Sequence, residues 1–394
     1  MPAVSPFQVQ SEVEISQAGL KRLRQGHLWI YAADVVRQDV REGAAFVRVF
    51  DPAGNLAGYA LYSGQSQIRL RFFSKEAESP TEATLMERVR ASIERRRPLR
   101  TGSACRLVFG ESDLLPSIIV DRYSDYLVLQ TLSAGAEALK SWLVEILREL
   151  IQPAGIYERN DVKARCLEGL EEVSGVLWGE VPQRVEIVEG GTRFLVDIVG
   201  GQKTGFFLDQ SENRITAGKY ATGNGLDCFT NTGGFALHMA GRCESVIAVD
   251  TSQDALELGR RNAEINGFTN VSFQAANAFD LLRELERKAE KFSIVCLDPP
   301  AFAKNRASLR GAIGGYKEIN LRAMKLLRPG GILITSSCSY HLSEERFGEL
   351  LQQAAHDARL HLQLLERRAQ ACDHPVLLGM PETHYLKCFV LRAL

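Results

Sequence analysis

Along residues 1–75, short apolar runs alternate with turn residues. Ala45-Phe46-Val47-Arg48-Val49-Phe50 is followed by Asp51-Pro52-Ala53-Gly54-Asn55 and then by an apolar run over 56–62. Strand-length runs punctuated in this way predict a small β-barrel or sandwich. In Ile68-Arg69-Leu70-Arg71-Phe72-Phe73 a period of two sets Arg69 and Arg71 on one face. That face is either solvated or a phosphate-contacting edge. Helical periodicity over 81–98 ends in Arg95-Arg96-Arg97-Pro98. The proline halts the helix, and the arginines either complement its dipole or belong to a nucleic-acid surface. Residues 105–195 read as strand, strand, helix, strand, strand. The first two, 117–120 and 126–132, flank an expected turn Asp121-Arg122-Tyr123-Ser124-Asp125; the helix covers 139–151; 185–188 and 194–199 form a hairpin across Glu189-Gly190-Gly191. From about residue 200, strands and helices alternate, which predicts a doubly wound parallel sheet. Its strands are expected at 225–229, 245–250, 271–275, 292–297, 331–336 and 385–391. The expected domains are 1–80, 81–195 and 196–394.

The composition changes this picture little. With 394 residues, 45% of them hydrophobic, the chain is long enough for two or three cores. Lys+Arg of 47 against Asp+Glu of 48 excludes a global polyanion-binding charge. Residues 1–100 carry 15 basic against 11 acidic side chains, a modest sign of a basic N-terminal appendage. The eight cysteines form no C-x-x-C pair, which argues for reduced thiols and against a disulfide framework or a metal site. No signal core or apolar run of membrane length occurs, so the protein is expected to be soluble and cytoplasmic, without a membrane partner.

The chemistry concentrates at the ends of the expected parallel strands, where open α/β sheets bind ligands. The first strand leads into Leu226-Asp227-Cys228-Phe229-Thr230-Asn231-Thr232-Gly233-Gly234, and the second ends at Asp250. A glycine pair lets backbone approach a ligand at a helix N-terminus, and a carboxylate one strand over can accept both ribose hydroxyls. A G-x-G-x-x-G dinucleotide fingerprint is absent. The cofactor expected is therefore S-adenosylmethionine. Candidate contacts are Asp227, Phe229, Thr230, Asn231, Gly233, Asp250, Asn277 and Ala278, with Asn277 placed to read adenine.

The fourth strand ends Asp298-Pro299-Pro300-Ala301-Phe302 and the fifth ends Ser336-Ser337-Cys338-Ser339. Two prolines fix a backbone from which Asp298 can hold the polar edge of a planar base, with Phe302 able to stack nearby. Cys296 lies inside an apolar strand, as ordinary buried cysteines do; Cys338 does not. Cytosine C5 is too weak a nucleophile to take a methyl group directly. A thiolate adding at C6 makes C5 enamine-like, and this is the chemistry that a cysteine beside Asp298 suits. Cys338 and Asp298 are the catalytic candidates; Pro299, Pro300 and Phe302 are the substrate-binding ones.

These motifs resemble the PUA-containing class I RNA methyltransferases that make 5-methylcytosine in 23S ribosomal RNA. Gly26-His27-Leu28-Trp29-Ile30-Tyr31, Phe109-Gly110-Glu111-Ser112-Asp113, Thr204-Gly205-Phe206-Phe207-Leu208-Asp209-Gln210, Asp298-Pro299-Pro300-Ala301-Phe302, Ser336-Ser337-Cys338-Ser339 and Pro381-Glu382-Thr383-His384-Tyr385-Leu386-Lys387 carry the likeness across nearly the whole chain. It implies an N-terminal PUA β-barrel, a small central α+β domain and a C-terminal class I methyltransferase domain with a Rossmann-like sheet. It also implies S-adenosylmethionine as cofactor, ribosomal RNA as partner and Cys338 as nucleophile. Another group of cytosine-5 RNA methyltransferases carries a second cysteine where this chain has Pro300, so release must use another base. Gln210, Arg214 and Lys304 are further candidates for substrate or cofactor contact. A homodimer is left open. Two alternatives also stay open: methylation at guanine N7 or an exocyclic amine without a covalent step, and an RNA-binding assembly factor with a vestigial cofactor fold.

Overall fold

The computed structural model describes residues 5–97, 102–302 and 309–394. Two compact units divide the chain. The first holds the chain up to Ile187 with Val196–Leu208 and Cys372–Thr383; the second holds Val188–Leu195, Asp209–Ala371 and His384–Leu394.

In the first unit, a six-stranded sheet runs in the order Trp29–Tyr31, Ile68–Ser74, Leu56–Tyr62, Phe46–Phe50, Ser11–Ile15, Val35–Asp39. Val13, Ile15, Ile30, Val47, Val49, Leu70 and Phe72 fill its core. The helix Gln17–Arg24 packs Leu20 and Leu23 onto that core, and the Ser16 hydroxyl caps it by accepting from the Gly19 amide at 3.2 Å. A five-stranded sheet follows, ordered Val173–Gly179, Gly155–Asn160, Tyr126–Thr131, Ile118–Tyr123, Ala104–Phe109. Helices Glu82–Arg96 and Lys140–Ile151 cover it with Leu85, Val89, Leu143 and Leu147.

Several expectations for this unit change. The turn expected at 121–125 shrinks to Ser124 and Asp125, because the strand Ile118–Tyr123 runs on through Asp121. Arg106 pairs with that buried carboxylate through two contacts of 2.8 Å. A polar residue inside a strand is thus not a turn signal when it has a partner. Three strands were hidden in the sequence pattern: Ala104–Phe109, Gly155–Asn160 and Val173–Gly179. Arg71 is not a phosphate-contacting edge. It is 5% exposed and ion-paired to Glu168 at 2.7 Å. Arg69 donates to the carbonyls of Ser63 and Gly64. Arg96, at 1% exposure, is neither solvated nor a nucleic-acid contact. Its guanidinium forks onto Asp113 at 2.6 and 2.7 Å, joined by Arg95 at 2.8 Å. Arg97 remains exposed, while Pro98 lies outside the described residues.

The second unit is the doubly wound sheet. Its elements are α1 (Ser211–Tyr220), β1 (Asn224–Cys228), α2 (Gly234–Ala240), β2 (Ser245–Asp250), α3 (Gln253–Ile265), β3 (Val271–Ala275), α4 (Ala278–Arg287), β4 (Phe292–Leu297), α5 (Leu309–Lys325), β5 (Leu327–Ser337), α6 (Glu344–Ala358), β6 (Leu362–Arg368) and β7 (Lys387–Ala393). The strand order is 3-2-1-4-5-7-6, with β7 antiparallel to both neighbours. Alternation along each strand feeds two cores. Val295, Leu297, Leu333, Phe389 and Leu391 point into one, while Ile294, Cys296, Ile334, Cys388 and Val390 point into the other. The chain reverses its winding between β1 and β4, and this switch point is where such sheets open a crevice. Edge strand β6 was not expected, and β5 is longer than its sequence signal. Among the described residues no helix is long and apolar enough to cross a membrane.

Burial alone would lift the Asp113 carboxyl, but the Arg96 and Arg95 guanidiniums outweigh it and hold the group below the usual carboxylate range. Removing Arg96 would leave that charge buried without its principal partner. Arg96→Met is therefore expected to destabilise the first unit by about 3–5 kcal/mol, read as a lowered midpoint in thermal or urea unfolding.

Candidate active site

At the carboxyl end of β1, three residues in five adopt left-handed backbone: Phe229 (φ 67°), Asn231 (φ 51°) and Gly233 (φ 89°). Only the last is glycine, so the turn carries strain at Phe229 and Asn231, which the surrounding structure holds. Gly233 leads directly into α2. A side chain on the next residue, Gly234, would approach Arg214 Cδ to 2.8 Å. Both glycines thus let the turn lie tight against its surroundings.

Beneath this turn sits Asp227, fully buried. Its Oδ2 accepts from the Ala236 amide at 2.9 Å and from the Thr230 hydroxyl, while its Oδ1 has no hydrogen-bond partner among the described residues. Burial pushes its carboxyl up to about 7, and the charges of Asp298 and Asp250 add to the rise against the pull of the two hydrogen bonds. A carboxylate left short of partners in a dry place favours a cation nearby.

Asp250 ends β2 half-exposed. Its oxygens each accept one backbone amide, from Asn231 at 2.9 Å and Ser252 at 3.0 Å. Each keeps a further lone pair for a ligand hydroxyl. Asn277 is the N-cap of α4; its Oδ1 accepts from the Phe279 amide at 2.9 Å. Its oxygen keeps a second lone pair and its NH2 group two donors, so the amide can meet either the amino group or a ring nitrogen of adenine. The Ala278 side chain is 5% exposed and belongs to the apolar core, so only its backbone is available to a ligand.

The fourth-strand motif stands against the first. The Asp298 amide lies 3.4 Å from the Cys228 carbonyl, in hydrogen-bond contact with the end of β1. Asp298 is half-buried, and its Oδ1 accepts from Gln210 Nε2 at 2.7 Å. Gln210 is held in turn: its Oε1 accepts from Asn213 Nδ2 at 2.7 Å, and Asn213 Oδ1 accepts from Arg368 Nε at 2.8 Å. This ladder of side chains aims the carboxylate, and Gln210 was suspected only as a ligand contact. Pro299 is buried and Pro300 exposed. Phe302 does not stand alone as a stacking platform. It packs at ring-centroid distances of 4.7 Å from Tyr316 and 5.9 Å from Phe279.

Cys338 follows the last residue of β5 and is half-exposed. Its Sγ lies 3.9 Å from the Pro299 carbonyl oxygen, so thiol and Asp298 turn share one end of the sheet. Burial pushes the thiols of Cys228 and Cys296 far up, and those of Cys243 and Cys388 up to about 11 and about 12. Those four are packing residues. Next to Cys338, Ser339 Oγ meets the buried Tyr316 hydroxyl at 3.0 Å. Tyr316 carried no sequence signal, because it lies mid-helix in α5. Arg214, also a candidate for ligand contact, already has a partner for its charge. It is 3% exposed and forks onto Glu189 with two contacts of 2.7 Å. Lys304 lies outside the described residues.

Known proteins resemble this arrangement at two levels. The family described as S-adenosylmethionine-dependent methyltransferase matches residues 169–382, and the PUA-like domain family matches residues 13–75. Ribosomal RNA large subunit methyltransferase I of Tolumonas auensis is 43% identical over 386 residues, spanning 95% of this chain and 97% of that protein. The protein of that name from Aeromonas hydrophila is 42% identical over 384 residues, with the same coverage of 95% and 97%. A methyltransferase crystallised with SAH shares the fold at a TM-score of 0.83 and 21% identity, spanning 97% of this chain and 99% of that one.

Asp227 gives this site a pH signature. Its raised folded value means that, between the usual carboxylate range and about 7, the folded unit keeps a proton that the unfolded chain has released. Stability contributed in this way is full at low pH and is lost as pH rises through that window. Asp227→Asn cannot ionise. It is expected to flatten the loss and raise ligand-free stability at neutral pH by about 1–3 kcal/mol, measured by thermal melts across the pH range.

Proposed function

This chain belongs to the S-adenosylmethionine-dependent methyltransferases, and on that premise we propose that it methylates C5 of a cytosine in 23S ribosomal RNA through a covalent bond from Cys338 to C6. The ribosomal substrate follows from relatives that match 95% of this chain. The single observation supporting the cytosine reading is a half-exposed thiol 3.9 Å from the carbonyl of the Asp298-Pro299 turn. A PUA-like domain at residues 13–75 suits an RNA substrate, and the cytoplasm is where such a substrate is met.

The residues at the ends of β1, β2 and β3 fit the cofactor. The buried Asp227 Oδ1, without a partner among the described residues, suits the positive charge of the donor. Asp250 would accept the ribose hydroxyls, and Asn277 would hydrogen-bond the adenine. Phe229, Thr230, Asn231 and Gly233 would shape the wall, with Ala278 contributing backbone. When bound, S-adenosylmethionine supplies an electrophilic methyl group.

The rest of the chemistry falls to the chain's own side chains. The target base must leave its stack to reach the end of the sheet. Pro299 and Pro300 fix the turn on which it would lie, and Phe302 backs that turn through its aromatic neighbours. The Cys338 thiolate forms a bond to C6 of cytosine, and the electron pair of the C5–C6 double bond moves to C5. Asp298, aimed by Gln210, holds the N3/N4 edge; its carboxyl gives N3 the proton that balances the added charge and takes it back when the double bond is restored. After C5 has gained its methyl group, a base removes the C5 proton. That electron pair restores the double bond and expels the Cys338 sulfur.

Cys338→Ala is expected to keep cofactor affinity within about threefold while methyl transfer falls at least about a thousandfold, measured by calorimetry and by methyl incorporation into ribosomal RNA. RNA carrying 5-fluorocytidine, which cannot lose a C5 proton, should trap the unaltered enzyme in a denaturant-stable complex. Undiminished transfer by the alanine variant would end the covalent reading.

A further inference from the structure

We propose that Lys387 takes the proton of the Cys338 thiol and then stands as an ammonium ion beside the thiolate. The proposal rests on the covalent reading above and deepens it. Lys387 opens β7, and in the antiparallel β5–β7 pair it lies directly across from Ser337, the residue before Cys338. Although a lysine, it is 3% exposed. Among the described residues no carboxylate is bonded to its nitrogen: Nζ donates to the carbonyl oxygens of Ser339 at 2.7 Å and Tyr385 at 2.9 Å. Lysine is almost never buried to this extent without an ionic partner.

Two carbonyls use two N–H donors. A neutral amine has two such hydrogens and one lone pair, so it satisfies both carbonyls and can still receive a proton. The step then balances. The S–H bond breaks, the sulfur keeps its pair, and the proton binds the nitrogen lone pair to give ammonium and thiolate. Burial lowers the lysine to about 8, opposed by the charges of Cys338 and, from α6, Glu344. At about 8 the amine is mostly ammonium at pH 7: the fraction with a free lone pair takes the thiol's proton directly, while beside a standing ammonium the thiol gives its proton to solvent, and both routes end in the same ammonium–thiolate pair. Tyr316, reaching in from α5, bonds the Ser339 hydroxyl, and the Cys338 charge raises it further above the usual phenol range, on top of burial. It therefore stays protonated and does not compete for the thiol's proton.

The test is the pH dependence of Cys338 alkylation by iodoacetamide, followed on the Cys338 peptide by mass spectrometry in the full-length protein without RNA. In the unaltered protein, the rate at about pH 7 should lie within about threefold of its high-pH plateau, whereas an ordinary thiol is only a few per cent ionised there. In Lys387→Met the rate at about pH 7 should fall at least about tenfold below that variant's own plateau, and the two plateaus should agree. Superimposable profiles would overturn the proposal. So would a loss of equal size at every pH, which is what a merely structural role produces. If Lys387→Met does not fold, the unaltered protein decides alone: a rate at about pH 7 more than about tenfold below plateau refutes the proposal. The outcome is separable from that of the fluorocytidine trap, because alkylation needs neither RNA nor cofactor.

Discussion

The parallel register of β1, β4 and β5 is the constraint on which the rest depends. Cys228 stands opposite Leu297, and Leu297 opposite Thr335. The three strands therefore finish on nearly one level, and the next residues of each chain segment (Phe229, Asp298, Ser336 and on to Cys338) emerge at one end of the sheet. A slip of one residue in β4 would send Val295 and Leu297 from one core to the other and bury Asp298. The register is protected because both faces of these strands are sealed, with Leu226 and Val295 on one side and Ile294 and Cys296 on the other. Apolar packing thus sets the relative height of a carboxylate and a thiol that stand on different strands.

Orientation is a separate matter, and polar contacts supply it. Asp298 is aimed by a side-chain ladder through Gln210 and Asn213 to Arg368, which is itself paired with Glu366 at 2.7 Å. Glu366 also accepts from the Tyr220 hydroxyl at 2.7 Å. The cofactor-side turn is braced differently. Glu189 holds Arg214 and His238 in a buried cluster, and the Arg214 stem lies where a Gly234 side chain would go. The Glu189 carboxyl is held down to about 2, because the Arg214 charge outweighs the cost of burial. Fully partnered buried charges of this kind specify one geometry more than they add stability.

The sheet strands were legible because nothing competes with their signal. Ser245–Asp250, Val271–Ala275 and Phe292–Leu297 occur where their apolar pattern predicts. Once those strands are known, the rule that ligands gather at strand ends picks out Asp227, Asp250, Asp298 and Cys338 without further information. What escaped notice has a common cause. Gly155–Asn160 is buried at all six positions, yet Glu158, Arg159 and Asn160 read as solvent-facing until Lys140, Asp161 and Thr131 are seen to pair with them. Arg71 and Arg96 misled in the same way, since an arginine's partner is invisible when it lies 97 or 17 positions away. Edge strand Leu362–Arg368 shows no clean alternation because little covers it. Gln210 and Arg368 are 158 positions apart and joined only through Asn213, so their ladder exists only in three dimensions.

The cysteines show how far surroundings, and not residue type, decide chemistry. Five of the eight are buried, two are exposed, and Cys338 alone lies between. In Cys228, Cys296 and Cys388 burial is the largest influence on the thiol and outweighs what opposes it, such as the Ser336 hydrogen bond and the Arg368 charge at Cys388, so each is driven away from ionisation. Such a sulfur is a small hydrophobe. The intermediate burial of Cys338 works differently: water thins enough to strengthen electrostatics, but a substrate can still reach the sulfur. A buried lysine one strand away exploits that condition, because its own ammonium is weakened by the burial that would otherwise penalise the thiolate. Two groups that are each poorly solvated as ions can share a proton at little cost when they ionise together. The same sheet therefore sets aside three thiols as packing and leaves one with a basic neighbour at its open end.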